Sequence, residues 1–265
     1  MTSPSNNITP LILTYNEEPN LKRTLEPLTW ANQILIVDSF STDETLNIAH
    51  QYPQVKVLQR TFDSHANQWN YGLQNVPTPW VLALDADYVL SNELVDEIKN
   101  LDMAICNGYK ARFTYCVQGK PLRGTLYPDN IVLFKINEGQ YYDDGHTQRL
   151  QISGALGKLS SPIYHDDRKG FSRWLQSQDR YMIREVDKLL NTPSSKLSLA
   201  DRLRKTKVVA PFVVFFYCLF VNGVIVDGWR GWFYTLQRVL AEMVLTIRLI
   251  EAEKLSSTQN KTSNS

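Results

Sequence analysis

Two carboxylates spaced by one residue, in Asp85-Ala86-Asp87, close the apolar run Trp80 to Leu84. On an extended chain, residues two apart project to the same side, so this pair can share one cation. Hard carboxylate oxygens suit Mg²⁺ or Mn²⁺. Such an ion, bridging a diphosphate, stabilises the charge that gathers on a departing nucleoside diphosphate. The plainer reading is an acidic turn ahead of a helix opened by Ser91. Two more polar segments follow apolar runs in the same way: Thr14-Tyr15-Asn16-Glu17-Glu18 and Asp38-Ser39-Phe40-Ser41-Thr42-Asp43. Asp38 ends its run, where a carboxylate is costly to bury without partners. It either accepts hydrogen bonds from a nucleotide base or caps a turn with Ser39 and Ser41. Asp43 and Pro19 read as helix starts.

The elements that must position these groups alternate in type. Strands are predicted over Ile8 to Leu13, Gln33 to Asp38, Val55 to Gln59 and Trp80 to Leu84. Helices are predicted near Pro19 to Leu28, Asp43 to Gln51 and Ala66 to Asn75, each opened by an Asn, Asp, Ser or Pro signal. Three βα units in a row predict an α/β fold with a mainly parallel sheet, in which ligands bind beyond the carboxyl ends of the strands. The three polar segments therefore meet at one sheet edge. From Tyr109 to Ile163 the texture shifts to Gly, Tyr and β-branched residues, predicting mixed or antiparallel strands that face the acceptor. An amphipathic helix follows over Ser172 to Leu190. The boundaries placed from these changes are residues 1–192 for a catalytic domain, 193–254 for a helical C-terminal extension and 255–265 for a disordered tail rich in Ser, Thr, Asn and Lys.

Taken together, TYNEEPNLKRTL, ILIVDSFSTDET, HANQWNYGL and WVLALDADYVL closely resemble, in this order, the family 2 glycosyltransferases, over about the first 100 residues. Within that family the chain is similar to the branch that includes lipopolysaccharide-core glucosyltransferases, through Tyr127-Pro128-Asp129, Leu133-Phe134 and His146. The resemblance implies a GT-A fold, Rossmann-like, with a mainly parallel sheet and a smaller mixed one. It implies that Thr14 and Asp38 line a uridine pocket with Tyr15 and Glu17 nearby, and that Asp85 and Asp87 contact ribose, diphosphate and metal, with Asp87 the direct ligand. It further implies an inverting displacement in which a carboxylate deprotonates the acceptor hydroxyl. Asp129 ranks first as that base, with Asp144 and Asp143 behind it. His146 is a candidate metal or phosphate contact and ranks ahead of His165. The chain departs from the family pattern at Tyr88 and Thr147, where acidic residues are usual, and at Trp69, where a basic residue often follows the glutamine.

Beyond Thr192 the composition changes. Residues 208–226 carry no charge and as one helix would reach about 28 Å, close to a bilayer core. Arg202, Arg204, Lys205 and Lys207 precede them, and Asn222 and Gly223 interrupt the run, which favours an interfacial segment over a full span. After Gly228, apolar residues recur at three- and four-residue steps from Trp229 to Ile250, one stripe on a helix. The alternative for both segments is packing against the catalytic domain or a second subunit. The expected partners are a nucleotide-sugar donor, a saccharide or lipid-linked acceptor and the cytoplasmic face of a membrane.

Composition excludes other classes. The chain has 265 residues, 43% hydrophobic, and a formal net charge of +1, which gives no general pull toward nucleic acid. Its three cysteines form no CxxC or Cys/His spacing, so neither a disulfide framework nor a zinc site is expected. No basic and apolar leader pattern opens the chain. Two rivals remain. Asp85-Ala86-Asp87-Tyr88-Val89 also satisfies the DxDx(T/V) pattern of haloacid-dehalogenase-like phosphatases, with Asp85 as nucleophile. A catalytically degenerate, sugar-nucleotide-binding scaffold is the non-enzyme reading.

Overall fold

The computed structural model describes residues 7–144 and 147–262. Its strands are β1 (Ile8–Thr14), β2 (Ile34–Asp38), β3 (Val55–Gln59), β4 (Trp80–Asp85), β5 (Tyr88–Leu90), β6 (Gly108–Ala111), β7 (Phe113–Val117), β8 (Lys120–Pro121), β9 (Asn130–Lys135), β10 (Gly139–Asp144), β11 (Thr147–Ile152), β12 (Leu156–Lys158) and β13 (Ile163–His165). The first four helices are α1 (Leu21–Leu25), α2 (Thr45–Ala49), α3 (His65–Gln74) and α4 (Asn92–Lys99). Four more follow: α5 (Phe171–Asn191), α6 (Leu199–Lys205), α7 (Val209–Phe216) and α8 (Trp229–Thr262).

A seven-stranded sheet in the order β12-β6-β9-β4-β1-β2-β3 forms the frame. Strands β4, β1, β2 and β3 run parallel, and β9 runs against both its neighbours. The near-continuous apolar runs of β1, β2 and β4 explain why this part of the sheet is buried on both sides. Ile34 and Ile36 of β2, with Leu82 and Leu84 of β4, face one core cluster with α1 and α4. Leu35 and Val37, with Val81 and Ala83, face the other, where Trp69 and Leu73 of α3 pack. Full burial of each such side chain contributes about 1.5–3 kcal/mol. The close approach of α3 to β1 needs Gly72, since a Cβ there would lie 2.8 Å from both methyl carbons of Leu11.

A second sheet, in the order β5-β13-β7-β8, follows directly from the end of β4. β13 pairs antiparallel with β5 and parallel with β7, so His165 lies opposite both Tyr88 and Tyr115. This is the smaller mixed sheet that the resemblance implies, while β6, β9 and β12 of the same region join the large sheet.

The chain divides into two units whose main boundary falls between Lys169 and Gly170, not near Thr192, with residues 122–124 and 144–147 also belonging to the second unit. The reason lies in α5, whose Met182, Val186 and Leu189 pack with Leu245 and Leu249 of α8, so α5 belongs with the C-terminal helices. Arg248 Nη2 to Asp179 Oδ1, at 2.7 Å, joins the same pair of helices. Residues 208–226 do not form one helix. α7 stops at Phe216, a π-helical turn runs Tyr217–Val221, and Gly223 takes a left-handed φ of 67° that reverses the chain. The apolar stripe after Gly228 does form a single helix. That helix continues to Thr262 instead of stopping at residue 254, because extending a nucleated helix adds one hydrogen bond per residue.

Candidate functional site

The carboxyl ends of four strands set a row of functional groups across the large sheet. Register places Leu13 beside Asp85, Thr14 beside Asp38, and Asp38 beside Gln59. Asp38 is fully buried and its acceptor positions are filled from within the chain. Thr14 Oγ1 donates to Oδ1 at 2.9 Å, the Ser41 hydroxyl donates to the same oxygen, and Ser41 N and Gln59 Nε2 donate to Oδ2 at 2.9 and 3.3 Å. The structure therefore brings Thr14 and Asp38 together as expected, and uses Asp38 to hold the loop after β2, as the turn-capping reading requires. That loop is tied to the one after β1: Asn16 N donates to Ser41 Oγ at 2.8 Å and Glu17 N to Thr45 Oγ1 at 2.6 Å. Asn16 and Phe40 both adopt positive φ, 54° and 60°, a strain that these cross-links hold in place. Tyr15 and Phe40 are left half-exposed at the edge.

Asp85 and Asp87 sit in the turn between β4 and β5, and the turn is pinned from both sides. Thr24 Oγ1 of α1 donates to the Ala86 carbonyl at 2.6 Å, and Asp166 N donates to the Asp87 carbonyl at 3.0 Å. The Asp87 carboxylate meets His165, with Oδ2 3.2 Å from Nε2. His165 is packed edge-on against the rings of Tyr88, Tyr115 and Tyr127, at centroid distances of 5.2, 4.9 and 4.6 Å. Tyr88, the departure from the family pattern, is thus a buried wall of the histidine's cage, with its hydroxyl 3.4 Å from that of Tyr127.

The electrostatics follow from these contacts. Burial opposes the charged form of Asp87, but His165 and then Lys169 outweigh it and hold its carboxyl down at about 2. Burial and then the neighbouring Asp87 charge push Asp85 up to about 6. Burial works against the His165 imidazolium, and Asp87 more than offsets it, so His165 stays protonated above the usual histidine range. Glu17 is pushed up to about 7 by burial, against the pull of Lys169, whose Nζ lies 2.7 Å from Glu17 Oε1. The backbone carrying Lys169 is fixed by two asparagine bonds: Asn20 Nδ2 donates to Asp167 Oδ1 at 3.0 Å, and Asn20 Oδ1 accepts from Arg168 N at 2.9 Å.

Two buried polar atoms at this point, Asp87 Oδ1 and His165 Nδ1, have no hydrogen-bond partner among the described residues. An uncommitted carboxylate oxygen in a buried acidic cluster is a fit for a divalent cation. Among the described residues no three His, Cys, Asp or Glu groups converge on one metal position. Mg²⁺ and Mn²⁺ bound to nucleotides need no such triad, since phosphate oxygens and water complete the shell.

The other predicted groups lie elsewhere. Tyr127 reaches the His165 cage, but the Asp129 carboxylate two residues on is exposed and 2.7 Å from Lys158 Nζ. Asp143 accepts from Ala66 N at 3.1 Å, capping α3, and Asp144 Oδ1 is 3.2 Å from Lys188 Nζ. His146 lies outside the described residues. His165 and Lys169 are the groups whose weight sequence reasoning missed. The available signal was the His-Asp-Asp cluster at 165–167, but the partner of His165 is 78 residues away. The phosphatase pattern fails on topology, because Asp85 closes the fourth strand of the domain and not the first.

Residues 11–124 match the family model described as Glycosyl transferase family 2. Over that stretch the chain is similar to the family 2 glycosyltransferases. An uncharacterized glycosyltransferase of Rickettsia typhi is 33% identical over 93 residues, which cover 35% of this chain and 32% of that protein. The lipopolysaccharide core biosynthesis glycosyltransferase LpsC of Rhizobium meliloti is 28% identical over 138 residues, 49% of this chain and 51% of LpsC. The chain thus spans about a third to a half of the length of these relatives. Among solved structures, mannosyltransferase PcManGT from Pyrobaculum calidifontis, in complex with GDP-Man and Mn²⁺, aligns with a TM-score of 0.53 at 13% identity, over 95% of this chain and 87% of that one. That likeness shows a shared fold.

Proposed function

We propose that the chain transfers a hexose from a nucleoside diphosphate sugar, first of all a UDP-sugar, to a lipid-linked saccharide or cell-envelope polysaccharide, with inversion at the anomeric carbon. The observation that carries this reading is the Asp87–His165 pair at the carboxyl end of β4, with Asp87 Oδ1 uncommitted beside Asp85. Asp87 and Asp85 would hold Mg²⁺ or Mn²⁺, which supplies Lewis-acid neutralisation of the diphosphate when bound. Lys169, carried by the segment after β13, adds a fixed positive charge next to the same carboxylates. Thr14 and Asp38 shape the floor on which the nucleoside sits, with Tyr15 and Glu17 at its border. Support for the donor class comes from the family match and from the GDP-Man carried by PcManGT; support for the acceptor class comes from the similarity to LpsC.

In this reading Asp129 accepts the proton of the acceptor hydroxyl as the nucleoside diphosphate leaves, after parting from Lys158, and Asp144 is the second candidate. Metal-dependent hydrolysis of a radiolabelled UDP-sugar, with and without a bacterial lipid extract as acceptor, tests the activity. Release of sugar without acceptor and its transfer into the lipid phase with acceptor is the expected result. No turnover of any nucleotide sugar with either metal would favour a binding scaffold instead.

A further inference from the structure

We propose that the bend joining α7 to α8 docks on a lipid bilayer with anionic headgroups and seats its tip among the acyl chains. The inference stands on the second unit alone and does not depend on the transferase reading. Phe212, Phe216 and Phe220 recur at four-residue steps along α7 and the π-helical turn, and each is more than half exposed. The opposite side of the same segment, at Ala210, Pro211, Cys218 and Leu219, is buried. A helix that rests on a protein core normally turns polar residues outward, and this one is apolar all round. The first turns of α8 repeat the pattern with Trp229, Trp232 and Leu236 exposed, and Val221 and Val226 expose more apolar surface at the bend between the arms. So much contiguous apolar surface marks an interaction site.

Three observations point to a bilayer. Among the described residues no helix is long and apolar enough to cross a membrane, and the left-handed Gly223 turns the chain back, so contact is one-sided. Of the basic residues flanking the bend, Arg204 and Lys207 are paired with Glu242 and Glu253, whereas Arg202, Lys205 and Arg230 form no ion pair among the described residues, and the acidic residue at the bend, Asp227, is paired with Arg123. That bias draws the segment toward anionic headgroups. Arg230 stacks over Trp229 at 4.7 Å, a pairing of amphipathic ring and cation suited to the headgroup layer.

A second copy of the chain is the competing occupant, since Trp229, Phe233, Leu236, Met243, Ile247 and Ile250 follow a heptad spacing along α8. The positions flanking that seam, Arg230, Gln237, Val244 and Glu251 on one side and Trp232, Val239 and Thr246 on the other, carry only two charges, and Glu251 is already 3.1 Å from Arg248 of its own helix, so little charge is left to fix a coiled-coil register. A two-helix seam would also leave the phenylalanines of α7 in water.

The test is co-sedimentation of the full chain with phosphatidylcholine vesicles and with vesicles containing phosphatidylglycerol, for wild type, Phe216→Ser/Phe220→Ser and Lys205→Glu, with light scattering of each protein alone. Wild type should sediment with the anionic vesicles, less so in high salt. The double variant should lose affinity at least about tenfold, as expected for removing a phenylalanine from an apolar phase, and Lys205→Glu should weaken binding to anionic vesicles only. A blue shift of wild-type tryptophan emission on adding those vesicles checks the proposal without any variant. Absence of both sedimentation and shift overturns it. So does undiminished binding by a folded double variant, or a stable dimer that ignores vesicles and dissociates on Ile247→Asp.

Discussion

His165 Nε2 lies 3.2 Å from Asp87 Oδ2, and both side chains are nearly shut off from solvent. Asp87 lies in the turn that leads into β5 and His165 on β13, the strand paired with β5, so the small sheet brings an imidazolium to the second carboxylate of the Asp85-Ala86-Asp87 turn. The pair decides what each partner can do: Asp87 stays ionised to lower pH, and His165 stays protonated to higher pH, than an ordinary carboxylate or imidazole would.

Breaking this pair from one side leaves a buried charge uncompensated, which costs about 3–5 kcal/mol at full burial and here somewhat less, because the site is near the surface. His165→Gln should therefore lower Tm by several degrees. The double variant with Asp87→Asn should be less destabilised than the sum of the single ones. A thermal double-mutant cycle measures the coupling, and strict additivity would show that the pair does not interact.

The acidic groups at the site give the metal-free chain a definite pH dependence. Glu17 and Asp85, with folded values raised to about 7 and about 6, favour the protonated folded state, so their contribution is fully present below the unfolded carboxylate range and is lost as pH rises through those values. His165, raised above the histidine range, contributes stability below that range and loses it as pH rises further. Asp87, held at about 2, acts in the opposite sense only in strong acid. Thermal unfolding followed from about pH 5 to about pH 8 in chelator should thus show falling Tm, and Glu17→Gln should flatten the slope. A rise in Tm over that window would contradict the arrangement.

Thr14→Val removes a hydroxyl from the buried Asp38 carboxylate while keeping its shape. The expected loss is about 1–3 kcal/mol of stability, together with weaker donor binding, because Asp38 holds the loop that carries Ser41 and Phe40. Calorimetric unfolding and donor titration on the same variant check both effects.

Much of this was legible in the sequence, for a physical reason. The strands β1, β2 and β4 are near-continuous apolar runs ended by polar segments, so their positions and the edge at which Thr14, Asp38, Asp85 and Asp87 gather follow from pattern alone. The weight of His165 is not legible in sequence, because it depends on the register of β13 between β5 and β7, a non-local pairing without local signal. Sequence pattern puts the boundary at Thr192 and not at Gly170 because the face of α5 that matters is read only against α8. The break in residues 208–226 was signalled by Asn222 and Gly223; what sequence could not fix was that the chain reverses there.

The choice of base separates by kinetics. Asp129→Asn should lower kcat by about 10²–10⁴-fold with KM for donor little changed, as expected for loss of a general base. Asp144→Asn, whose carboxylate pairs with Lys188, should mainly affect stability. Equal kcat for Asp129→Asn and wild type would remove Asp129 from the mechanism.

The most direct test of the central claim is calorimetric titration of UDP-sugars and GDP-mannose into wild type and Asp87→Asn, with Mn²⁺, with Mg²⁺ and in chelator. The account predicts that a nucleotide sugar binds wild type only with metal, and that Asp87→Asn loses that binding while remaining folded. Binding that is the same in chelator and in the variant would contradict the assignment of Asp87, and no binding of any nucleotide sugar to wild type would contradict the donor site altogether.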